Sequence, residues 1–449
     1  MSEDSLFGTD GIRGEANSSP LVPGTLTRVG RALGTYWRRE SSSRKVIVGH
    51  DGRQSETLVR TALVSGLVST GIDVQELGFC STPALSYLAR NKRVAGGIMI
   101  SASHNPFYDN GLKPLTGRGE KFRVADEEQV MDLFRQQDFK RAKREEIGQV
   151  FPRESWISDY IEALSSRLMD FPGHVVVDCS NGGTARIASA VLGGHCDELT
   201  VINDEPDGRN INKNAGSLHP QVVADRVKEE NADLGFALDG DGDRVVAIDE
   251  DGTPTNGDVL MYLLASTFKQ EGTLDGNGLV MTSMSNLGLR LALEEAGIDY
   301  EVVGVGDRLV FQKLDEVDWR IGGEQSGHVI DRDWLPTGDG LNTVVTVINS
   351  LIKSAKPLSY WIDEVKMFPQ ILHNIDVDRK PPLEELSETQ EKIETVENEL
   401  GRKGRVLVRY SGTEPVARIM LEGQDQERLN SLAADIGETM KKELQQTGD

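Results

Sequence analysis

The chain of 449 residues is 38% hydrophobic and 27% charged at a mean hydropathy of −0.37, so it can build cores, and at ~100–200 residues per domain its length suits two to four of them. No stretch approaches the ~20 consecutive apolar residues of a membrane helix, and the polar start MSEDSLFGTDGIRG does not read as a signal peptide. Forty-nine Lys and Arg against 72 Asp and Glu leave a net charge of −23, a field that repels nucleic-acid phosphates and anionic lipid, so neither partner is expected. Any phosphate-bearing ligand needs a local positive pocket set against that field. The cysteines Cys80, Cys179 and Cys196 are odd in number and lack CxxC spacing, so they define neither a disulfide framework nor a zinc site. Small buried thiols in a reducing cytoplasm are the expectation. The acidic excess, with arginines outnumbering lysines, would suit a salt-rich cytoplasm, and the oligomeric state is left open.

In chain order, 23–39 reads as an amphipathic helix, KVIVGH (45–50) as a buried strand and 56–70 as a second helix. VQEL (74–77), a helix from Pro83 and the strand GGIMI (96–100) follow. Apolar runs alternating with helices predict an α/β layer covered on both faces. The charged stretch DFKRAKREEIGQV (138–150) breaks the pattern and is expected to bridge to a second unit from about Pro152. There HVVVDCSNGG (174–183) is a strand ending in a Gly-rich turn before a helix, and ELTVI (198–202) and ADLGFALDGDGD (232–243) supply further strands. A third unit restarts after DEDGTPTNG (249–257) with GLVMTSM (278–284), the helix LGLRLALEEAG (287–297) and YEVVGVGDR (300–308). KPLSYWIDEVKMFPQ (356–370) crosses to a last unit with strands ILHNIDV and RVLVRYS and helical runs at 383–400 and 425–445. The expected units are therefore 1–150, 151–250, 251–360 and 361–449.

Four loops carry candidate chemistry. GGIMISASHNPFYDNGLK (96–113) delivers Ser101, Ser103, His104 and Asn105 to the carboxyl end of a strand, where ligands of α/β sheets bind. A serine there can be a nucleophile with His104 to orient it, but Ser, Asn and Pro also make turns for local reasons, and the stretch alone leaves both readings open. In LDGDGDRVVAID (238–249), Asp239, Asp241 and Asp243 alternate with glycines, and three carboxylates so close call for a hard divalent cation. A calcium EF-hand would place Gly sixth from Asp239, where Arg244 stands, and VVAID alternates like a strand instead of opening a helix. IGGEQSGHVI (321–330) offers Glu324, Gln325, Ser326 and His328 as hydrogen-bonding groups suited to sugar hydroxyls. In LVRYSGTEPVARIM (407–420), Arg409, Ser411, Gly412 and Thr413 make a compact anion nest, to which Arg418 can add a second fork. A capped turn would also explain SGTEP, though not the arginines around it.

Together these loops resemble the α-D-phosphohexomutase family, most closely its phosphoglucosamine mutases. FGTDGIRG (7–14), ISASHNPFYDNGLK, DGDGDR, MSNLGL (284–289), VGDR (305–308), GGEQSGH and SGTEP occur in the family's order and spacing over essentially the whole chain. The resemblance implies three similar α/β domains and a smaller α+β C-terminal domain around a central cleft. It implies that Ser103 is the phosphoserine and that Asp239, Asp241 and Asp243, with the Ser103 phosphate, hold one Mg²⁺ per subunit. Glu324 and Ser326 match sugar-hydroxyl binders, and the stretch from Arg409 to Thr413 matches the clamp for the phosphate that is not transferring. Arg13, Lys113 and His328 match positions that assist proton movement near the transferring phosphate, with Arg244 beside them. The implied reaction is the interconversion of glucosamine 6-phosphate and glucosamine 1-phosphate, with a bisphosphosugar as intermediate and activator. Such a reaction needs a donor that also accepts, which a phosphorylated serine is, and a cleft that takes the intermediate in both orientations. Gly304 and NINKNAGSLHP (210–220) depart from the family pattern and bear on substrate choice. The alternatives are a phosphomannomutase or phosphoglucomutase of the same fold, or a metal-dependent phosphosugar phosphatase, which would have no use for a distal clamp.

Overall fold

A computed structural model of the chain describes residues 6–8, 10–411 and 415–446. The first sheet contains β1 (Ile12–Glu15), β2 (Lys45–His50), β3 (Asp73–Phe79), β4 (Gly96–Ile100), β5 (Asp109–Thr116) and β6 (Val150–Pro152) in the order β1-β5-β4-β2-β3-β6. From β4 to β6 it is parallel, whereas β5 runs antiparallel to β4 and β1 antiparallel to β5. Val46, Ile47 and Val48 are all buried because both faces of β2 are covered, which is why KVIVGH is continuously apolar.

On one face, helices Pro23–Glu40 and Glu56–Ser69 share a core with Val46, Val48, Ile98 and Ile100. Their backbones touch at Gly30 and Gly66, where a Cβ would stand 2.3 Å from the Leu63 and Thr27 carbonyl oxygens respectively. A methyl group at 66 has backbone on its far side and nowhere to go. Gly66→Ala should therefore lower the unfolding free energy by ~1–3 kcal/mol, the usual cost of overpacking, read as a shift in denaturant midpoint.

The second sheet holds β7 (Phe171–Asp178), β8 (Cys196–Ile202), β9 (Leu234–Leu238), β10 (Val245–Ile248) and β11 (Pro254–Thr255) in the order β11-β10-β9-β7-β8. The third holds β12 (Gly278–Thr282), β13 (Asp299–Val303), β14 (Ile321–Gly323) and β15 (Val329–Asp331) in the order β13-β12-β14-β15. One plan recurs in all three. A strand lying parallel to its inner neighbour ends in a chemistry-bearing loop and returns antiparallel: β4 to β5, β9 to β10, and β14 to β15. The last sheet is antiparallel, β16 (Gln370–Asp376), β17 (Arg405–Tyr410) and β18 (Val416–Glu422) in the order β16-β18-β17. It shares a core with helices Ser387–Leu400 and Gln426–Gln446. No helix among the described residues is long and apolar enough to cross a membrane.

Residues up to 284 together with 298–363 form one compact unit, and 285–297 together with 364 onward form a second. Helix Leu287–Ala296, read from the sequence between the third-sheet strands β12 and β13, has its contacts grouped with the second of these units. The charged stretch 138–150 folds back on the first unit, with Ala142 N donating to Ser69 O at 3.0 Å and Gly148 N to Val68 O at 3.0 Å. Pairing of β6 with β3 and of β11 with β10 carries the first two sheets to Pro152 and Thr255.

Candidate active site

Ser103 sits in the loop after β4, fully buried and with φ of 52°. A non-glycine residue in that left-handed region costs about 1 kcal/mol or more and persists only where its surroundings impose it. Those surroundings are visible. The Ser103 amide donates to Ser101 Oγ at 2.8 Å, and its carbonyl accepts from Arg53 Nη2 at 2.7 Å and Asn212 Nδ2 at 2.8 Å. Ser101 Oγ in turn donates to Asp51 Oδ2 at 2.6 Å, which also pairs with Arg53 Nε at 2.9 Å. Asp51 and Arg53 follow β2 and are completely buried. Their sequence, DGR, gives only a turn signal, so reading the chain did not find them. Asn212 lies in the departing stretch NINKNAG, where it clamps the Ser103 carbonyl.

With its backbone fixed, Ser103 turns Oγ toward Asp239 and donates to Oδ2 at 2.6 Å. The expected orienting partner, His104, is not the one bonded to it. Burial, then Arg244 and Arg13, pull the His104 pKa down to about 4, so its imidazole is neutral. The Ser103 and Asp239 loops touch closely enough that a Cβ on Gly240 would lie 2.7 Å from the Ser103 carbonyl oxygen.

Asp239, Asp241 and Asp243 each offer an oxygen within 4.8 Å of the other two, and all three are buried. Asp241 Oδ1 and Asp243 Oδ1 have no hydrogen-bond partner among the described residues. Burial, then Asp243 and Asp241, push the Asp239 carboxyl well above the usual range. Crowded, buried hard oxygens with orphaned lone pairs would be costly unless a cation shares them. The set fits a hard divalent ion such as Mg²⁺.

Lys113, from β5, closes the far side, with Nζ 2.7 Å from Asp241 Oδ2, 3.1 Å from Asp243 Oδ2 and 3.4 Å from Asp10 Oδ2. Burial disfavours its charge, but Asp10, Asp241 and Asp243 outweigh it and hold the ammonium protonated well above its usual range. From there alternating charges run outward. Asp10 Oδ1 meets Lys121 Nζ at 2.6 Å, Lys121 pairs with Asp307, and Asp307 Oδ2 lies 3.3 Å from His328 Nε2. Asp10 also pairs with Arg13, whose Nη1 donates to Ala102 O at 3.4 Å. Arg244 Nε lies 3.7 Å from Asp243 Oδ1. Lys113, Arg13, His328 and Arg244 are thus gathered by this network around the Ser103 and acidic loops. Lys121 and Asp307 were not singled out from the sequence, although Asp307 stands in VGDR. Glu324 follows β14 and accepts from Gly306 N at 3.1 Å, while Ser326 is exposed. This is a serine hydroxyl seated among acidic oxygens and flanked by fixed cations, a setting that accommodates a phosphoryl group on Oγ.

The predicted anion nest lies in the C-terminal unit. Arg409 on β17 is the direct partner of Arg418 on β18, and Asn374 on β16 pairs with Arg418 from the other side. Like charges directly opposite one another destabilise a sheet, so this register is one that an anion between the two guanidinium groups would relieve. Ser411 N donates to Val416 O at 2.9 Å, and Lys380 adds a cation by donating to the Ser411 carbonyl. Gly412 and Thr413 lie outside the described residues.

Four family profiles match in succession: phosphoglucomutase/phosphomannomutase α/β/α domain I over 4–141, domain II over 158–252, domain III over 256–368 and the C-terminal domain over 372–439. A phosphoglucosamine mutase of Natranaerobius thermophilus is 42% identical across 97% of this chain and 99% of its own. One from Syntrophus aciditrophicus is 40% identical across 98% and 99%. Among solved structures, a phosphoglucomutase/phosphomannomutase family protein from Burkholderia thailandensis superposes with a TM-score of 0.84 at 24% identity, covering 99% of this chain and 98% of that one. By these matches and by its four successive domains, the chain belongs to the phosphoglucomutase/phosphomannomutase family, the α-D-phosphohexomutases, and is an intramolecular phosphotransferase.

Proposed function

We propose that the protein interconverts glucosamine 6-phosphate and glucosamine 1-phosphate through a phosphorylated Ser103 and a bisphosphosugar intermediate, in the cytoplasm. The observation that carries the mechanism is Ser103 Oγ held against Asp239 inside the acidic triad. The choice of amino sugar is supported by whole-length relatives named phosphoglucosamine mutase. In the first half-reaction the free sugar hydroxyl attacks the phosphorus on Ser103, the Oγ–P bond breaks, and the hydroxyl proton is passed on so that Ser103 ends as an alcohol. In the second, Ser103 Oγ attacks the other phosphorus of the turned bisphosphate, the sugar O–P bond breaks, and the serine proton ends on the sugar oxygen, which leaves as a hydroxyl and restores the donor.

A Mg²⁺ held by Asp239, Asp241, Asp243 and a Ser103 phosphate oxygen would offset charge on the transferring group. Lys113 and Arg13 supply fixed positive charge beside that group, and with His328 they assist the proton's passage. Arg244 contacts the same phosphate, while Glu324 and Ser326 hold sugar hydroxyls in either orientation. Arg409, Ser411, Gly412, Thr413 and Arg418 hold the phosphate that is not moving.

A substrate panel assayed for both isomer and free phosphate tests the proposal. Fastest turnover on glucosamine phosphate without phosphate release supports it; preference for mannose or glucose phosphate reassigns the substrate, and net phosphate release makes the protein a phosphatase. The clamp has its own test. Arg409→Ala removes a charge-assisted contact of ~1.5–3 kcal/mol, so KM should rise roughly tenfold to hundredfold. Bisphosphosugar should then leak into solution, and adding it back should restore rate. Normal KM without leakage would move the clamp elsewhere.

A further inference from the structure

We infer that the first α/β unit carries a second ligand site, a cationic groove for a small molecule of the nucleoside diphosphate class. Two adjoining cavities of about 640 and 550 Å³ open there and share Phe139, Lys140 and Arg141. Arg28 and Arg31 complete the cationic wall of the larger, and Arg38, Arg39 and Arg44 that of the smaller. Asp138 is the one carboxylate in either wall, and it is taken by Arg39 at 2.7 Å. In a chain of net charge −23, so many cations facing one concavity with one acid among them repel each other. That arrangement is relieved by an anion.

Some of these cations are already committed. Arg28 lies over the Phe134 ring at 4.1 Å, Arg38 donates to the Thr70 carbonyl at 2.5 Å and lies 3.9 Å from Glu146, and Arg44 donates to the Arg38 carbonyl at 3.4 Å. The side chains of Arg31, Lys140 and Arg141, by contrast, make no hydrogen bond or ion pair among the described residues. The segment presenting two of them is anchored: Lys140 N donates to the buried Thr35 Oγ1 at 2.9 Å, and Ala142 N to Ser69 O at 3.0 Å. Backbone held in this way lowers the ordering cost of binding.

The larger cavity is not purely polar. Val68, Phe139, Ala142 and Ile147 form an apolar side, and Ile147 is 56% exposed, leaving its surface available to a flat ring. Cations on one side and an apolar wall on the other suit a molecule with two phosphates and a base. A second copy in an isologous contact would set this basic face against itself. A long nucleic acid would leave the groove and meet the acidic field beyond it, whereas a small polyanion stays within about one Debye length of the arginines. None of the lining residues belongs to the Ser103 site, so the inference stands apart from the proposed reaction.

Calorimetric titration of the full-length protein with ADP and with UDP tests it, glucosamine 6-phosphate being present at saturation so that the sugar-phosphate site is filled. Pyrophosphate and adenosine serve as single-component probes. One-to-one binding of a nucleotide roughly tenfold or more tighter than either component is expected, and the double variant Arg31→Glu/Arg141→Glu should weaken it at least about tenfold with mutase turnover unchanged. Arg141→Gln, which removes a charge without reversing one, should show a smaller loss in the same direction. Absence of nucleotide binding, displacement by the sugar phosphate, equal affinity for pyrophosphate, or binding unaltered in both variants would each overturn the inference. So would a dimer that the double variant dissociates, because it would give the groove to a second copy.

Discussion

Ser103→Ala is expected to give a folded protein with no measurable turnover. The substitution removes one atom, Oγ, which is both the proposed phosphate carrier and the donor to Asp239. Every contact that fixes the loop uses the Ser103 backbone: the amide to Ser101, and the carbonyl to Arg53 and Asn212. These survive in alanine, which is no worse than serine at a φ of 52°. Loss of a nucleophile on which both half-reactions depend costs on the order of 10⁴–10⁶ in rate. Intact-mass measurement should show one phosphate on the wild type that disappears in the variant, with closely similar thermal unfolding. Turnover within about tenfold of wild type would remove the phosphoenzyme from the mechanism.

Asp241→Asn is expected to separate metal binding from sugar-phosphate binding. Asp241 is fully buried and accepts from Lys113 at 2.7 Å and from Thr82. Its Oδ1 has no protein partner among the described residues and is the oxygen available to an ion. Asparagine removes the negative charge and must turn its NH₂ either toward the Lys113 ammonium or into the acidic cluster. Disturbing a metal ligand's partners alone costs about 10–100-fold in affinity, so losing the ligand's charge should cost roughly a hundredfold or more in Mg²⁺ affinity and in phosphoryl transfer. Glucosamine 6-phosphate should still bind with nearly its original affinity, because the residues proposed to hold it are untouched. EDTA should silence the wild type and Mg²⁺ should restore it. Full activity in metal-free buffer would refute the role given to the triad.

Legibility in the sequence followed a physical divide. GGIMI appears unchanged as β4 because five buried apolar residues in a row have few other uses. The acidic loop was readable because carboxylates alternating with glycine are costly without a ligand. Strand β5 was missed: DNGLKPLT carries Asn, Gly, Lys and Pro, yet Asn110 through Leu115 are buried. What makes that possible is Asp241 and Asp243, more than a hundred residues later in the chain, which neutralise Lys113. The same holds for Asp51 and Arg53, whose burial depends on the carbonyls of Ser103, Pro106 and Asp109. Local pattern reports local cost, and these residues are stabilised at long range. Composition marked 138–150 as a connector but could not show how it is held, because its hydrogen bonds reach back to the end of helix Glu56–Ser69, some seventy residues earlier.

The C-terminal unit is assembled from two separated pieces of chain, and this sets a timetable for the ribosome. Helix Leu287–Ala296 emerges while β16, β17 and β18 are still unmade, so the polar groups of Ser285, Asn286 and Leu287 at its start lack the partners they will have at the end. The groups that receive it arrive late: Phe368, whose N–H and C=O both bond Asn286 at 2.9 Å; Arg405, which donates to the Ser285 carbonyl at 2.7 Å; and Glu422, which accepts from Leu287 N at 3.1 Å. Vectorial synthesis thus leaves the start of this helix without its hydrogen-bond partners until the final sheet is translated, so this end of the unit is completed last.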